Sequence, residues 1–250
     1  MATNGAKRAR ILGVPVDMVT RAEAMEIFTG LMGAAGCSLV VTPNSEIVLA
    51  ASKDSELKTL IESAGLIIPD GVGLVYASRI LKKPLVERVT GIDFLSDVLA
   101  YLQDAGKSAY FLGSKPGVAE LAAENMKAKY PNIDIAGHHH GYFGKADEKA
   151  VVDEINRSGA QFLCTAMGSP KQEMFVYDHR EELANVRAAM GVGGSLDVWA
   201  GNLKRAPEFY QKHGLEWLYR LLQEPSRIKR MLKLPLFMVK VLFSRGVWSG

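Results

Sequence analysis

The chain carries only two cysteines, Cys37 and Cys164. Each stands in an apolar run, CSLVVT and FLCTAM, that reads as a strand, and neither has a metal-ligand neighbour in sequence. This points to buried, reduced thiols and excludes a disulfide framework. The chain also lacks an apolar run of the roughly 20 residues that a bilayer-spanning helix needs. The nearest candidate, Met231 to Phe243, is interrupted by Lys233, Pro235 and Lys240. The basic N-terminus has no secretory core, because Gly13, Pro15 and Asp17 break the apolar run after Arg10. A cytoplasmic location is therefore expected. Neither GxxxxGK[ST] nor GxGxxG occurs, which removes a standard P-loop and argues against a nicotinamide fingerprint. There is no Asp-x-Asp element to hold a nucleotide-bound divalent ion, and no repeat, low-complexity segment or clear linker.

What is present is a core-forming sequence: 48% hydrophobic residues over 250 positions, enough for one large domain or two closely packed lobes. The formal charge of +3 conceals an asymmetry. Residues 204–250 hold ten Lys or Arg and three acids, a net of +7, which leaves the preceding residues at −4. A mildly acidic body, residues 1–200, thus carries a strongly basic appendage, residues 201–250, suited to an anionic partner.

After a strand pair around Arg10 to Asp17, Thr20 and Glu23 form a capping box before a helix reaching about Gly33. Short apolar strands are then predicted at Ser38–Thr42, Leu66–Pro69, Ser108–Leu112, Ile133–Gly137, Ala160–Ala166 and Arg187–Gly191, with amphipathic helical stretches between them. The fold class is α/β: a mostly parallel, doubly wound sheet covered by helices. Ligands in such folds bind at the carboxyl ends of the strands. Here those ends are rich in Gly, hydroxyl, amide and acid residues.

Asp70, between a strand and the turn Gly71-Val72-Gly73, reads either as a helix cap or as a general base for an acceptor hydroxyl. Asn44 reads as the cap of the helix opening at Ser45 or, with Thr42, as a hydrogen-bonding group for a sugar or phosphate; both roles can coexist. The loop Gly113 to Gly117 places glycines, a hydroxyl and Lys115 before a helix, as a nucleotide-contacting turn would. Gly193 and Gly194 with Asp197 fit a ribose or base contact, or a tight turn. Tyr142 stacks on a base or packs at the rim. His138, His139 and His140 are not read as a metal site, since consecutive extended residues point to opposite sides and no carboxylate stands at ligand spacing. The tail reads as two basic helices, with Pro225 opening the second. They carry Arg220, Arg227 and Arg230, and interleave Trp217, Leu221, Leu222, Met231, Leu232, Leu236, Phe237 and Leu242. This mixture suits an anionic bilayer surface better than nucleic acid.

Taken together, Thr42-Pro43-Asn44, Pro69-Asp70-Gly71-Val72-Gly73, Arg88-Val89-Thr90-Gly91, Gly168-Ser169-Pro170-Lys171-Gln172-Glu173, and Lys204-Arg205-Ala206-Pro207 continuing into Gly214-Leu215-Glu216-Trp217-Leu218-Tyr219-Arg220 resemble the WecG/TagA/CpsF family of bacterial glycosyltransferases over nearly the whole chain. Met167 and Phe175 replace the commoner Leu and Trp. The resemblance implies a Rossmann-like fold with a C-terminal membrane-targeting appendage. It also implies an inverting transferase that needs no metal or other cofactor. The substrates implied are a UDP-sugar and a polyprenyl-diphosphate-linked acceptor, met peripherally on the inner face of the membrane through residues 204–250. By the same resemblance Asp70 is the general base, and Thr42, Asn44, Arg88 and Gln172 line its pocket; Gly113, Gly168 and Gly193 are expected to bind substrate from the surrounding loops. Tyr142 and Asp197 lie near the nucleotide, and Arg220, Arg227 and Arg230 close over the diphosphate. The donor sugar, N-acetylmannosamine, its uronic acid or glucose, is not written in any motif. A homo-oligomer is compatible with the sequence. A nicotinamide-dependent oxidoreductase and a nucleic-acid-binding module are the competing readings.

Overall fold

The computed structural model describes residues 6–244, with only the backbone of Lys229 and Arg230. It opens with an antiparallel hairpin, β1 (Arg8–Ile11) and β2 (Val14–Asp17), then α1 (Arg21–Gly33), β3 (Ser38–Val41), α2 (Ser45–Ala51), α3 (Ser55–Glu62), β4 (Leu66–Ile67), α4 (Val72–Ile80) and α5 (Gly91–Asp104). The chain continues through β5 (Ser108–Gly113), α6 (Val118–Lys129), β6 (Asp134–His139), α7 (Glu148–Ser158), β7 (Phe162–Ala166), α8 (Lys171–His179), β8 (Ala188–Gly191) and α9 (Ser195–Trp199). It closes with α10 (Glu208–Lys212), α11 (Glu216–Gln223), a 3-10 turn at Pro225–Arg227, α12 (Ile228–Met231) and α13 (Lys233–Ser244).

Six strands form one sheet in the order β4-β3-β8-β7-β5-β6, and every neighbouring pair is parallel. All six predicted strands are therefore present. Parallel pairing brings every strand's carboxyl end to the same edge of the sheet, which converts loops scattered along the sequence into one rim. The hairpin sits beside the β4 edge, where the buried Asp17 carboxylate accepts the Ile67 N–H at 2.8 Å and binds Arg8 Nε at 2.8 Å. The Thr20 capping box is formed.

Each strand divides its side chains between two cores, as its period of two requires. Leu39, Val41, Tyr110, Leu112, Leu163 and Ala189 face α2, α3, α7, α8 and α13, whereas Val40, Ala109, Phe111, Phe162, Cys164 and Met190 face α1, α5, α6 and α9. Both cysteines are free and buried, and burial raises both thiol pKa values, that of Cys37 to about 12.

The last helix departs from the sequence reading at Phe237, which that reading groups with the outward apolar residues. Phe237 and Val241 are completely buried in the core that α2 and α4 share, while Leu222, Leu232, Leu236 and Leu242 are exposed. Lys233 Nζ adds an ion pair to Glu46 of α2 at 2.7 Å. Burying a Phe is worth about 1.5–3 kcal/mol, against roughly 0–1 for an exposed ion pair, so packing holds the helix. Its other side presents apolar residues outward.

Candidate active site

A cavity of about 1450 Å³ opens at the carboxyl ends of the strands. The loops after β3, β4, β7 and β8 form its floor, and α11 and the turn after it form its roof. Thr42, Asn44, Asp70, Arg88, Tyr142, Gly168, Gln172, Gly193, Asp197, Arg220 and Arg227 all line it.

Asp70 follows β4, whose pairing continues through Ile68 N–H to Val41 O (2.8 Å) and Asp70 N–H to Pro43 O (3.2 Å). Gly71 adopts φ +87 and turns the chain sharply into α4, so the acid stays at the floor instead of continuing the strand. A β-carbon on Gly91 would stand 3.6 Å from both Asp70 Oδ2 and Thr42 Oγ1, which shows how closely these three positions converge. Burial pushes the Asp70 pKa up to about 6. Arg220 pulls against that shift, Glu216 adds to it, and Arg88 and the Gly91 N–H pull against it more weakly. A carboxylate with such a pKa is ionised near neutrality yet basic enough to take a proton.

The cations come from distant parts of the chain. Arg88 reaches Glu216 (Nη1 to Oε2, 2.9 Å) and the Gln211 carbonyl (3.2 Å), and so fastens α10 and α11 across the cavity. One helical turn beyond Glu216, Arg220 points into the cavity, and a β-carbon on Gly194 would lie 3.9 Å from its Nη2. Burial lowers the Arg220 pKa, and the neighbouring Arg227 lowers it further. Asp70, Glu216 and Glu224 pull the other way, and Arg227 Nε pairs with Glu224 Oε2 at 2.5 Å, so a multiply charged anion entering the cavity would meet two guanidiniums already held in place.

The polar groups on the floor are already committed in part. Thr42 Oγ1 donates to the Gly191 carbonyl at 3.1 Å, leaving its lone pairs to a ligand. Asn44 does cap α2, its Oδ1 accepting the N–H groups of Glu46 (2.9 Å) and Ile47 (3.1 Å), so its NH2 is what it can offer. Gln172 is 3% exposed. It donates to Glu173 Oε1 at 2.7 Å and accepts the Gly193 N–H at 3.2 Å. Gly191 makes room for this pair, since a β-carbon there would stand 2.4 Å from Gln172 Nε2.

At the far end, Ser114 Oγ donates to Asp197 Oδ2 at 3.0 Å and Lys171 Nζ binds the carbonyls of Gly141 and Phe143 at 3.1 and 3.3 Å. The lysine thereby holds the loop that carries Tyr142, which is 65% exposed and open for stacking.

One expected residue falls outside the cavity lining. Gly113 does not reach the cavity wall, although Ser114 and Lys115 do; it is pressed against β7, where a β-carbon would meet the Ala166 backbone at 2.5 Å. The Arg230 side chain lies outside the described residues. His139 and His140 contact each other, with ring centroids 4.4 Å apart. Among the described residues no group of three or more His, Cys, Asp or Glu is arranged to hold a metal. The sequence reading assigned no role to Glu216 or Glu173. Glu216 had a visible signal, because it precedes Arg220 by one helical turn and shares its face.

The family model described as the glycosyl transferase WecG/TagA/CpsF family matches residues 9–248. The chain is 38% identical over 233 residues, 92% of its length and 91% of the relative's, to a Staphylococcus aureus protein named N-acetylglucosaminyldiphosphoundecaprenol N-acetyl-beta-D-mannosaminyltransferase. A Bacillus spizizenii protein of the same name is also 38% identical, over 82% of this chain and 79% of that protein. Both the matched length and the identity place the assignment beyond the motifs alone: this chain is a glycosyltransferase and belongs to the WecG/TagA/CpsF family.

Proposed function

We propose that this enzyme transfers N-acetylmannosamine from its UDP conjugate to N-acetylglucosamine carried on a polyprenyl diphosphate, at the cytoplasmic face of the membrane. The observation that carries the reading is Asp70 at the cavity floor beneath Arg220, with Arg227 beside it. The names of the two relatives support the choice of sugar and acceptor.

In this mechanism Asp70 takes the proton of the acceptor hydroxyl while its oxygen bonds to the anomeric carbon of the donor. The bond from that carbon to the diphosphate oxygen breaks with its electron pair, and UDP departs. A single displacement inverts the anomeric configuration. Arg220 and Arg227 offset the charge that develops on the leaving diphosphate, a role for which preorganised cations suffice without a further cofactor. Thr42, Asn44, Arg88 and Gln172 orient the sugars around Asp70, and Tyr142 and Asp197 hold the nucleoside. No helix among the described residues is long and apolar enough to cross a membrane, and the outward apolar side of α13 supports peripheral docking.

The test is a panel of UDP-sugars with lipid-linked N-acetylglucosamine, read by product mass with EDTA present. Addition of one N-acetylhexosamine from UDP-N-acetylmannosamine alone is expected. Preferential transfer of a hexose or a uronic acid would overturn the donor, and dependence on added divalent ion would overturn the arginine-only leaving-group role.

A further inference from the structure

Next to the Asp70 cavity lies a second, smaller hollow of about 250 Å³. Its walls come from Val72 and Tyr76 of α4, Leu215 and Trp217 at the start of α11, and Leu234 and Met238 of α13, with the titratable His213 before α11, its Nδ1 2.8 Å from the Phe209 carbonyl. Hydrocarbon dominates this surface, so it does not suit a sugar or a diphosphate, which need converging polar groups. It suits an apolar ligand.

The hollow adjoins the catalytic cavity: Val72, Gly73, Gly214, Trp217 and Leu234 line both. Val72, in the shared wall, stands two positions after Asp70. Gly214, also in the shared wall, adopts φ +68 and packs tightly on α4, since a β-carbon there would press on Val72 Cγ2 at 2.9 Å. The opposite side of α13 carries Leu236, Val239 and Phe243, in line with Leu232 just before the helix, and all four are exposed, Phe243 by 80%. A hydrocarbon chain leaving a bilayer that touches this stripe reaches the hollow around the edge of one helix.

We infer that this hollow binds the first isoprenoid units of the acceptor's polyprenyl chain, whose diphosphate and sugar extend past Val72 to Asp70. The inference rests on the lipid-linked acceptor proposed above. The volume admits only a short stretch of hydrocarbon, so the remainder of the chain stays in the bilayer. Seating the proximal units would fix how far the acceptor sugar projects toward Asp70.

The test compares two acceptors bearing the same sugar diphosphate, one on a polyprenyl chain in detergent micelles and one on a short water-soluble alkyl group. Met238→Trp fills the hollow from a half-buried position, and Tyr76→Ala enlarges it from an exposed one. Met238→Trp is expected to raise KM for the polyprenyl acceptor at least tenfold. KM for the short acceptor and for the donor should stay within twofold, with binding to anionic vesicles unchanged. Tyr76→Ala should alter only the polyprenyl KM. Equal effects on both acceptors, no effect on either, or a changed sedimentation coefficient revealing a second copy on this surface would each overturn the inference. If the unaltered enzyme transfers to neither acceptor, the proposed acceptor itself fails, an outcome distinct from transfer that the variants leave intact.

Discussion

Arg88 and Glu216 meet across the mouth of the Asp70 cavity, Nη1 to Oε2 at 2.9 Å, and join the body of the sheet to the helical segment that roofs it. Both also act on Asp70, in opposite directions: Glu216 raises its pKa and Arg88 lowers it. Removing the negative charge with Glu216→Gln should therefore move the acidic limb of the kcat/KM profile to lower pH. Arg88→Gln should move it to higher pH. Shifts in the same direction, or none, would separate this pair from the base.

Asp70→Asn should reduce turnover by about 10²–10⁴-fold with donor affinity largely kept. Its effect on stability has the opposite sign. The folded pKa of about 6 lies above the ordinary 3.8, so the carboxylate costs nothing below its unfolded pKa and becomes a growing penalty as pH rises through 6. The variant should thus be more stable at pH 8, by about 1–3 kcal/mol, and no more stable at pH 4. Thermal melts at the two pH values check both statements.

Arg220→Met should lower kcat/KM by about 10²–10³-fold, the usual cost of losing a preorganised charge at a leaving group. UDP affinity, measured by calorimetry, should fall with it. Arg220→Lys should restore little, because an ammonium lacks the planar fork that engages two phosphate oxygens. Full recovery in the lysine variant would leave only a point charge to be explained.

Phe237→Ala should destabilise the whole fold by about 3–5 kcal/mol, as a large buried truncation does, and lower Tm on the order of 10 °C. An unchanged Tm would mean that α13 contributes only as a detachable anchor. Deleting residues 204–250 cannot make this distinction, because it removes Arg220 and Phe237 together.

Replacing Leu236, Val239 and Phe243 together by Glu should abolish co-sedimentation with anionic vesicles and leave Tm nearly unchanged, since all three are exposed. Retained vesicle binding would move the membrane contact elsewhere on the molecule.

Much of the architecture is legible without coordinates. Short apolar runs bounded by glycine and polar turns mark all six strands, although β6 runs two residues beyond Gly137 to His139 and a register shift occurs where it pairs with β5 near Ala109 and Tyr110. The acid, amide and glycine residues at the strand ends identify most of the cavity. Gly113 was misleading, because one glycine pattern serves both a ligand loop and a tight strand contact.

The sequence by itself determined the alternating elements, the acid at a strand end and the basic, apolar tail, because each is a local pattern of side-chain size, charge and backbone freedom. Only the tertiary structure decided that Arg88 pairs with Glu216, that Arg220 on the roof acts on Asp70 at the floor, and that Phe237 points inward while Leu236 points outward. The physical reason is the same in each case. The segment Lys233–Ser244 is apolar on nearly every side, so no polarity contrast in the sequence tells its buried face from its exposed one. Partners distant along the chain are selected by packing, which exists only once the sheet has brought its strand ends to one edge.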